Sequence, residues 1–344
     1  MRPDPEGAAR LHGRTVFAFD VVEAPQRYQL FASSAVPDAV VPYRSVGRVD
    51  AVLGEPLAPL EHLDAVTREF LADRRARGRR VLGFCATERF ASAAVACGAG
   101  AIAFTAEPEL DPLSWEPLGR SAKKLRAYVR RLRRRGVEAV ALPAGAPPEP
   151  EFRRAAEALA AAWRCAARAR AYLFELDPWR RAREKRYFAV ADPKDPDALW
   201  SLLVAHPVYA FEGWHLCHLI RHPDAPKGVT ELVVASAIET LGDEGVRYAT
   251  FGPVAVPRPV DPRGLGPVAR LALRAGFRLA SRGHARAAQF PRKIQPGPWP
   301  LRYMVVYPRG AVAGAGLAML RLAHARGEAT ARQVPALKRT GSDR

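Results

Sequence analysis

Cysteine is scarce in this chain of 344 residues, and its four copies follow no recognisable spacing. Cys85, Cys97, Cys165 and Cys217 form no CxxC pair. Secreted domains that depend on disulfides carry a denser pattern, and zinc sites built from cysteine usually use paired ligands. The sequence therefore predicts reduced, buried thiols, and it argues against a disulfide framework.

Long apolar runs and several catalytic motifs are also missing. The longest apolar candidate, Ala311 to Leu320, is too short for a bilayer span, which needs ~20 residues. The N-terminal stretch MRPDPEGAARLHGRT has acids and prolines where a signal peptide needs an apolar core. Neither GxxxxGK[ST] nor GxSxG occurs, which argues against a P-loop ATP site and a serine hydrolase elbow. We therefore expect a cytoplasmic protein without a membrane span.

Negative charge is in deficit. Aspartate and glutamate total 35, against 53 lysines and arginines, which gives a formal net charge of +18 at pH 7. Such an excess attracts polyanions, both nucleic acids and anionic lipid surfaces. Charge alone does not choose between these two partners.

The densest charge lies on a predicted helix from Ser121 to Arg135. Leu125, Tyr128, Val129 and Leu132 recur at helical spacing and form one apolar stripe. The other positions carry eight cations and no acid: Lys123, Lys124, Arg126, Arg130, Arg131, Arg133, Arg134 and Arg135. A solvated helix face normally mixes charges of both signs, so this pattern favours an anion-binding surface.

Strand and helix patterns alternate along the chain, which predicts an α/β protein. Strands are expected in TVFAFDVV, YQLFASSA, SVGRVDAVLG, RRVLGFCAT, KRYFAVAD, VYAFEGWHLCHLI, VRYATFG and LRYMVVYP. The proline-rich segment LPAGAPPEPEF, residues 142–152, has no periodicity and reads as a linker. We therefore predict one domain over residues 1–141, a second over 153–308, and a basic, partly helical tail over 309–344.

A crowded loop precedes a predicted helix from Thr230 to Leu241. The first N–H groups of a helix lack internal partners and favour anions, glycine permits a close backbone approach, and arginine can grip a phosphate. An ordinary strand-to-helix turn explains the same residues equally well. In this loop Gly228 is the glycine, Arg221 is the arginine, and Glu231 lies in the first turn of the helix. The other residues of interest are His222, Asp224 and Pro226.

The histidines of WHLCHLIRH invite a zinc interpretation. If this segment is a strand, His215 and Cys217 share one face and His218 points to the other. One metal ion could not easily collect all three, so no metal site is predicted. His222 adjoins Arg221 and is a candidate for a general base.

Several segments resemble a known family. RHPDAPKGVTELVVASAIETLGDEGVRYATFGPVA is similar to the core signature of the catalytic C-terminal domain of phosphatidylglycerol lysyltransferases, the aminoacyl-phosphatidylglycerol synthases. The closing segment FPRKIQPGPWPLRYMVVYP, the basic helix, YRSVGRVDAVLGEPLAP and RRVLGFCATERF agree in order, so the resemblance covers about residues 43–308. The matching positions are Arg221, Pro223, Asp224, Pro226, Gly228, Glu231, Gly252, Lys293, Pro296, Trp299, Arg302 and Tyr303.

The resemblance implies two tandem GNAT-like (N-acetyltransferase-like) acyltransferase domains. It also implies an aminoacyl-tRNA donor, no cofactor, and the hydroxyl of phosphatidylglycerol as acceptor at the inner membrane surface. Glu231 becomes the candidate general base with His222 as the alternative, while Arg221 and Lys293 hold phosphate and stabilise developing charge. The expected substrate-binding residues are Asp224, Pro226, Gly228, Gly252, Trp299, Arg302, Lys123, Lys124 and Arg126.

Two departures limit what the resemblance implies. Well-known members carry many membrane spans ahead of this domain, whereas none is visible in this sequence. We therefore expect no lipid flipping by this polypeptide. GNAT enzymes usually bind the pyrophosphate of acyl-CoA with a motif that reads Arg or Gln, two residues, Gly, one residue, then Gly or Ala. The nearest segment here is RSVGRV at Arg44, whose last residue is neither Gly nor Ala. The alternatives are a GNAT-type acyltransferase that uses acyl-CoA or another acceptor, and a non-catalytic protein that binds anionic lipid or RNA. The amino acid, the acceptor and the oligomeric state stay open.

Overall fold

The computed structural model describes residues 4–167, 178–281, 289–294 and 297–311, which form two β-sheets with flanking helices. The strands are β1 (Gln29–Ala32), β2 (Val40–Val46), β3 (Val49–Leu53), β4 (Arg80–Ala86), β5 (Gly100–Ala106), β6 (Glu109–Leu110), β7 (Val140–Ala141), β8 (Arg186–Asp192), β9 (Asp195–Val208), β10 (Gly213–Arg221), β11 (Ala249–Thr250), β12 (Val254–Arg263) and β13 (Leu301–Tyr307). The helices are α1 (Pro5–His12), α2 (Ala18–Glu23), α3 (Leu63–Ala76), α4 (Glu88–Ala96), α5 (Lys123–Arg133), α6 (Pro150–Ala167), α7 (Val229–Asp243), α8 (Pro267–Ser281) and α9 (Gln289–Ile294). None of these helices is long and apolar enough to cross a bilayer.

The first sheet has seven strands in the order β1-β2-β3-β4-β13-β5-β12. β3 and β4 are parallel and are joined by α3, while the other neighbouring strands are antiparallel. β13 comes from the end of the described chain but lies in the middle of this sheet. The first sheet is therefore complete only when β13 inserts between β4 and β5, two strands from the first third of the chain.

The second sheet has six strands in the order β6-β11-β10-β9-β8-β7. β10 and β11 are parallel and are joined by α7, which repeats the strand–helix–strand arrangement of β3, α3 and β4. The pairing of β10 with β11 is limited to Trp214–Ala249 and His215–Thr250. The rest of β10 diverges from β11, and its last residue, Arg221, lies at this open end.

The predicted division of the chain at residues 142–152 does not divide the strands. β12 and β13 come from the predicted second domain and complete the first sheet, whereas β6 comes from the predicted first domain and pairs with β11. α6 begins at Pro150, inside the predicted linker. Composition reveals a break in periodicity, but it carries no information about which distant strand pairs with which. All but the first residues of the predicted tail lie outside the described part of the chain.

Several local predictions are confirmed, including a helix at α5 and strands at β4, β8 and β13. The predicted strand TVFAFDVV is wrong, because residues Ala18–Glu23 form α2 with Ala18, Val21 and Val22 buried at helical spacing. The predicted strand VYAFEGWHLCHLI is interrupted by a turn that includes Glu212 at φ +47°. The long strand β9 was not predicted, since its charged and proline-containing start resembles a loop.

Each face of the second sheet packs on a different layer. Leu203 and Ala205 of β9 point toward α5 and α7, where they join one apolar cluster. Leu202 and Val204 point the other way, into a cluster with α6. The alternation of a strand therefore places α5 and α7 together on one side of the sheet.

The contact between α5 and α7 depends on a missing side chain. Gly228 precedes α7 at φ +103°, a backbone conformation that suits glycine. A Cβ atom at this position would lie 2.7 Å from the Cβ atom of Tyr128 on α5. The close approach of the two helices therefore needs glycine here.

We predict that Gly228→Ala destabilises the protein by about 1–3 kcal/mol more than Gly245→Ala. Both glycines have positive φ, but a Cβ atom at Gly245 meets no atom within 4 Å. The backbone strain is common to both variants, so the difference in free energy of unfolding, measured by urea denaturation, reports the contact with Tyr128. Equal losses in the two variants would contradict this role.

A buried ion pair joins two segments that are 195 residues apart in the sequence. The Arg302 guanidinium on β13 donates from Nε to Glu107 Oε2 at 2.7 Å, and its NH2 group lies 3.4 Å from Glu109 Oε1. Both Arg302 and Glu107 are buried. Two charges removed from water need each other, because an unpaired buried charge is costly.

We predict that Glu107→Ala lowers the free energy of unfolding by about 3–5 kcal/mol, because it leaves the Arg302 charge buried without its main partner. The control is Glu151→Ala, which removes an ion pair to Arg154 in which both side chains are 71% exposed. That control should change stability by less than about 1 kcal/mol. Similar losses in the two variants, measured by urea unfolding, would rule out a stabilising role for the buried pair.

Candidate active site at the start of helix α7

The loop between β10 and α7, residues 222–228, is held by the protein itself. The Arg221 guanidinium donates a hydrogen bond to the Ala225 carbonyl, and the His222 backbone N–H donates to the Trp200 carbonyl at 2.8 Å. Pro226 is half-buried, and its carbonyl accepts from the Val229 N–H at 3.4 Å. The loop is therefore braced on both sides before α7 begins.

The first turn of α7 has no side-chain cap and carries a buried carboxylate. Gly228 occupies the position before the helix and supplies no side-chain cap. Glu231 lies in the first turn and is only 8% exposed, whereas acids at helix starts are usually solvated. The partial positive charge of the helix N-terminus stabilises a negative group at this position.

Lys293 comes to Glu231 from a distant part of the sequence. Its Nζ atom lies 3.6 Å from Glu231 Oε1, and the lysine side chain is half exposed while the glutamate is nearly buried. The short helix α9 that carries Lys293 is anchored by a hydrogen bond of 2.8 Å from Trp115 Nε1 to the Ile294 carbonyl. The two residues form a carboxylate–ammonium pair that is open to solvent on the lysine side.

The chain after α9 continues along the edge of the second sheet. The carbonyls of Pro298 and Pro300 accept hydrogen bonds from the backbone of Glu109 and Glu107, at 3.1 and 2.9 Å. Trp299 is half-buried between them, and the Arg292 guanidinium lies 6.0 Å from the centre of its ring. Trp299 is thereby placed on the segment that links Lys293 to β13.

The basic helix α5 borders the same loop. Arg131 donates to the Lys227 carbonyl at 2.6 Å, and its guanidinium lies 5.3 Å from the centre of the Tyr128 ring. Arg126 donates to the Pro117 carbonyl at 2.6 Å. Lys123 and Lys124 are exposed in the first turn, where no acid is present to offset the helix dipole. The loop is therefore flanked by a surface that favours anions.

His222 has a hydrogen bond that disfavours it as a base. Its Nδ1 atom accepts from the Asp224 backbone N–H at 3.2 Å, which assigns the proton of the neutral imidazole to Nε2. Both ring nitrogens are then committed, one as acceptor and one as donor. Asp224 itself turns its carboxylate into solvent. Of the two predicted bases, Glu231 is better placed to accept a proton.

Three predicted substrate-binding residues have structural explanations. Arg302 is buried in the ion pair with Glu107, which gives it a structural role, and its contact with substrate stays a prediction. The space beside Gly228 is filled by Tyr128, and a Cβ atom on Gly252 would lie 2.5 Å from His215 Nε2. Sequence spacing could not show these contacts within the protein.

The structure also corrects the expectation that Cys217 and His218 point to opposite faces of a regular strand. The pairing of β9 with β10 shifts register between Leu216 and His218, so β10 contains a bulge at Cys217. The bulge breaks the alternation and brings Cys217 Sγ to 3.6 Å from His218 Nδ1. Burial lowers the pKa of His215 to about 4 and that of His218 to about 3, so both imidazoles are neutral at physiological pH.

Two site residues were not singled out from the sequence. Tyr128 was assigned to the apolar stripe of α5 and Lys227 was not considered, yet they connect α5 to the loop through Gly228 and Arg131. A tyrosine on an otherwise aliphatic stripe is the only signal that could have indicated such a contact. Backbone carbonyls such as that of Lys227 leave no signal in a sequence.

Comparison with known proteins places this geometry in context. The structure of L-PGS from Bacillus licheniformis is similar over 95% of this chain and 98% of that one, with a TM-score of 0.75 and 18% identity. The C-terminal domain of a putative lysylphosphatidylglycerol synthetase from Agrobacterium fabrum is similar over 92% and 94%, with a TM-score of 0.72 and 16% identity. A conserved protein of unknown function from Bacteroides thetaiotaomicron covers 88% and 95%, at a TM-score of 0.59 and 12% identity.

The two sheets, and the fold shared with these structures, confirm the predicted α/β class. No curated protein sequence matches this chain. The model of the family "phosphatidylglycerol lysyltransferase, C-terminal" matches residues 25–284, which include the loop, Glu231 and α5 but not Lys293. Because this match extends over most of the sequence, the chain belongs to the family of phosphatidylglycerol lysyltransferase C-terminal domains, a family of transferases.

Proposed function

We propose that this protein transfers an amino acid from aminoacyl-tRNA to the hydroxyl of phosphatidylglycerol at a membrane surface. The observation that carries the proposal is the pair of Glu231 and Lys293 at the start of α7. A purely structural carboxylate at a helix start needs neither burial nor a partner from a segment some sixty residues away. A general base needs to be shielded and held at the reacting centre.

The chemistry suits this arrangement. The Glu231 carboxylate takes the proton of the lipid hydroxyl as its oxygen attacks the ester carbonyl of the aminoacyl group. The tetrahedral intermediate collapses, the bond to the tRNA ribose breaks, and the ribose oxygen receives the proton from Glu231. One ester replaces another, so the reaction needs no ATP. We expect the Lys293 ammonium and the N–H groups at the start of α7 to stabilise the negative charge that develops on the carbonyl oxygen.

The partners are supported by charge. The donor and the lipid surface are both anionic, and α5 presents exposed cations next to the loop. Lys123 and Lys124 lie in the first turn, where the partial positive charge of the helix dipole repels their ammonium groups. A bound phosphate offsets this repulsion. Arg221 is braced against the Ala225 carbonyl, which holds its guanidinium at the loop, where a phosphate of the lipid headgroup or the tRNA end is expected.

We predict that Glu231→Gln lowers the transfer rate by about 10²–10⁴-fold, because the amide cannot accept the proton. Purified protein is incubated with liposomes rich in phosphatidylglycerol and with tRNAs charged singly with labelled amino acids. Label in solvent-extracted lipid is then measured. The control is Glu239→Gln on the exposed side of α7, which loses only an ion pair to Arg133.

Two results would decide against this assignment. Full activity of Glu231→Gln would remove Glu231 as the base. Absence of labelled lipid with every charged tRNA, despite retained tRNA binding by the wild type, would reject phosphatidylglycerol as acceptor and favour a binding function or another acceptor. Saturable binding of acyl-CoA in the same preparation would favour an acyl-CoA donor.

We predict that the triple variant Lys123→Gln/Lys124→Gln/Arg130→Gln binds tRNA more weakly and with a shallower salt dependence. The slope of log K against log salt should fall by about 0.7–0.9 for each phosphate contact that is lost. Filter binding at several salt concentrations measures both quantities. The control, equal in charge lost, is Arg68→Gln/Arg75→Gln/Arg80→Gln, all exposed and away from α5. The same slope change in both variants would mean that net charge, rather than α5, binds the tRNA.

A further inference from the structure

A cluster of metal-ligating side chains lies in the second sheet, apart from the loop at α7. His206 of β9 and Cys217 and His218 of β10 have ligand atoms that all lie within 4.8 Å of one another. His206 lies two residues after Val204 and four after Leu202 on β9, so it shares their face of the sheet, opposite α7. The proposed transfer reaction uses none of these residues.

The geometry of the cluster is close to that of an occupied site. Tetrahedral zinc with bonds of about 2.0–2.3 Å separates its ligand atoms by about 3.3–3.6 Å. Cys217 Sγ and His218 Nδ1 are already 3.6 Å apart, because the bulge turns neighbouring residues to the same side. The ligand atom of His206 lies within 4.8 Å of both, so a change of side-chain torsion is needed for it to complete the site.

An unsatisfied group points independently to a ligand. His206 is 5% exposed, and its Nε2 atom has no hydrogen-bond partner among the described residues. A buried polar atom without a partner costs free energy, and such atoms are rare in folded proteins. The Phe19 ring of α2 lies 4.8 Å from the His206 ring and covers the cluster on that side. His206 is therefore shielded on that side by an apolar ring, while Cys217 and His218 are partly exposed.

Positive charge nearby does not forbid a cation. Lys185 is buried in this region, but its Nζ atom lies 2.6 Å from the Glu23 carboxylate, which offsets its charge. A metal ion would displace the proton of Cys217, and the thiolate would then neutralise one of its two charges. Imidazole and thiolate together are ligands that zinc prefers over calcium or magnesium.

We propose that His206, Cys217 and His218 bind one zinc-class divalent metal ion, with a water or another small ligand as the fourth donor. The ion joins β9 to β10 beneath α2 and stabilises the fold. The proposal rests on the sheet geometry and is independent of the proposed transferase activity.

Cobalt titration of the tag-free protein, stripped of metal by a chelator, tests the proposal. One equivalent of Co²⁺ should produce tetrahedral absorption bands together with a thiolate-to-cobalt charge-transfer band, and Zn²⁺ should displace both. Zn²⁺ at ~100-fold above its Kd should also raise Tm by about 3–5 °C. Elemental analysis of the isolated protein should find up to one zinc per chain.

The variants separate this site from other thiols and histidines. Cys217→Ser should lose the charge-transfer band and the Tm shift, and His218→Gln should weaken cobalt binding at least tenfold. The matched controls Cys97→Ser and His62→Gln should behave as the wild type. Absence of the charge-transfer band in the wild type, or its retention in Cys217→Ser, would overturn the proposal. If Cys217→Ser fails to fold, the wild-type spectrum and His218→Gln decide the outcome.

Discussion

The insertion of β13 between β4 and β5 is the constraint on which the candidate site depends. Backbone hydrogen bonds on both sides hold this strand, and the Arg302–Glu107 pair fixes it within the sheet. The segment before it follows the backbone of residues 107–109, so α9 is carried to the side of α7. The position of β13 in the first sheet thus determines where Lys293 meets Glu231 of α7, the helix that packs on the second sheet.

The start of α7 is organised by packing as much as by chemistry. Gly228 admits Tyr128, Arg131 holds the Lys227 carbonyl, and Arg221 holds the Ala225 carbonyl. These contacts make the loop and the basic helix α5 one rigid surface. The first N–H groups of α7 have no side-chain cap, and such groups favour an anion. Preorganised donors of this kind stabilise developing charge without reorganisation.

The second sheet shows how one extra residue changes what a strand can do. Without the bulge at Cys217, alternation would send Cys217 and His218 to opposite faces. With the bulge, both side chains converge on His206 beneath α2. The same strand ends at Arg221, at the entrance to the candidate active site. β10 therefore contributes to two distinct arrangements of polar groups, one at its end and one in its middle.

Four features could be predicted from the sequence: the α/β class, the basic helix α5, the position of Glu231 in the first turn of a helix, and the family resemblance. These follow from local periodicity and short motifs, which need no knowledge of distant segments. Other features depend on the folded arrangement: Arg302 is a buried partner of Glu107, Ala18–Glu23 is a helix, Lys293 reaches Glu231, and Cys217 and His218 share a side. Burial, strand order and bulges depend on contacts between segments far apart in the chain, and residue spacing carries no record of such contacts.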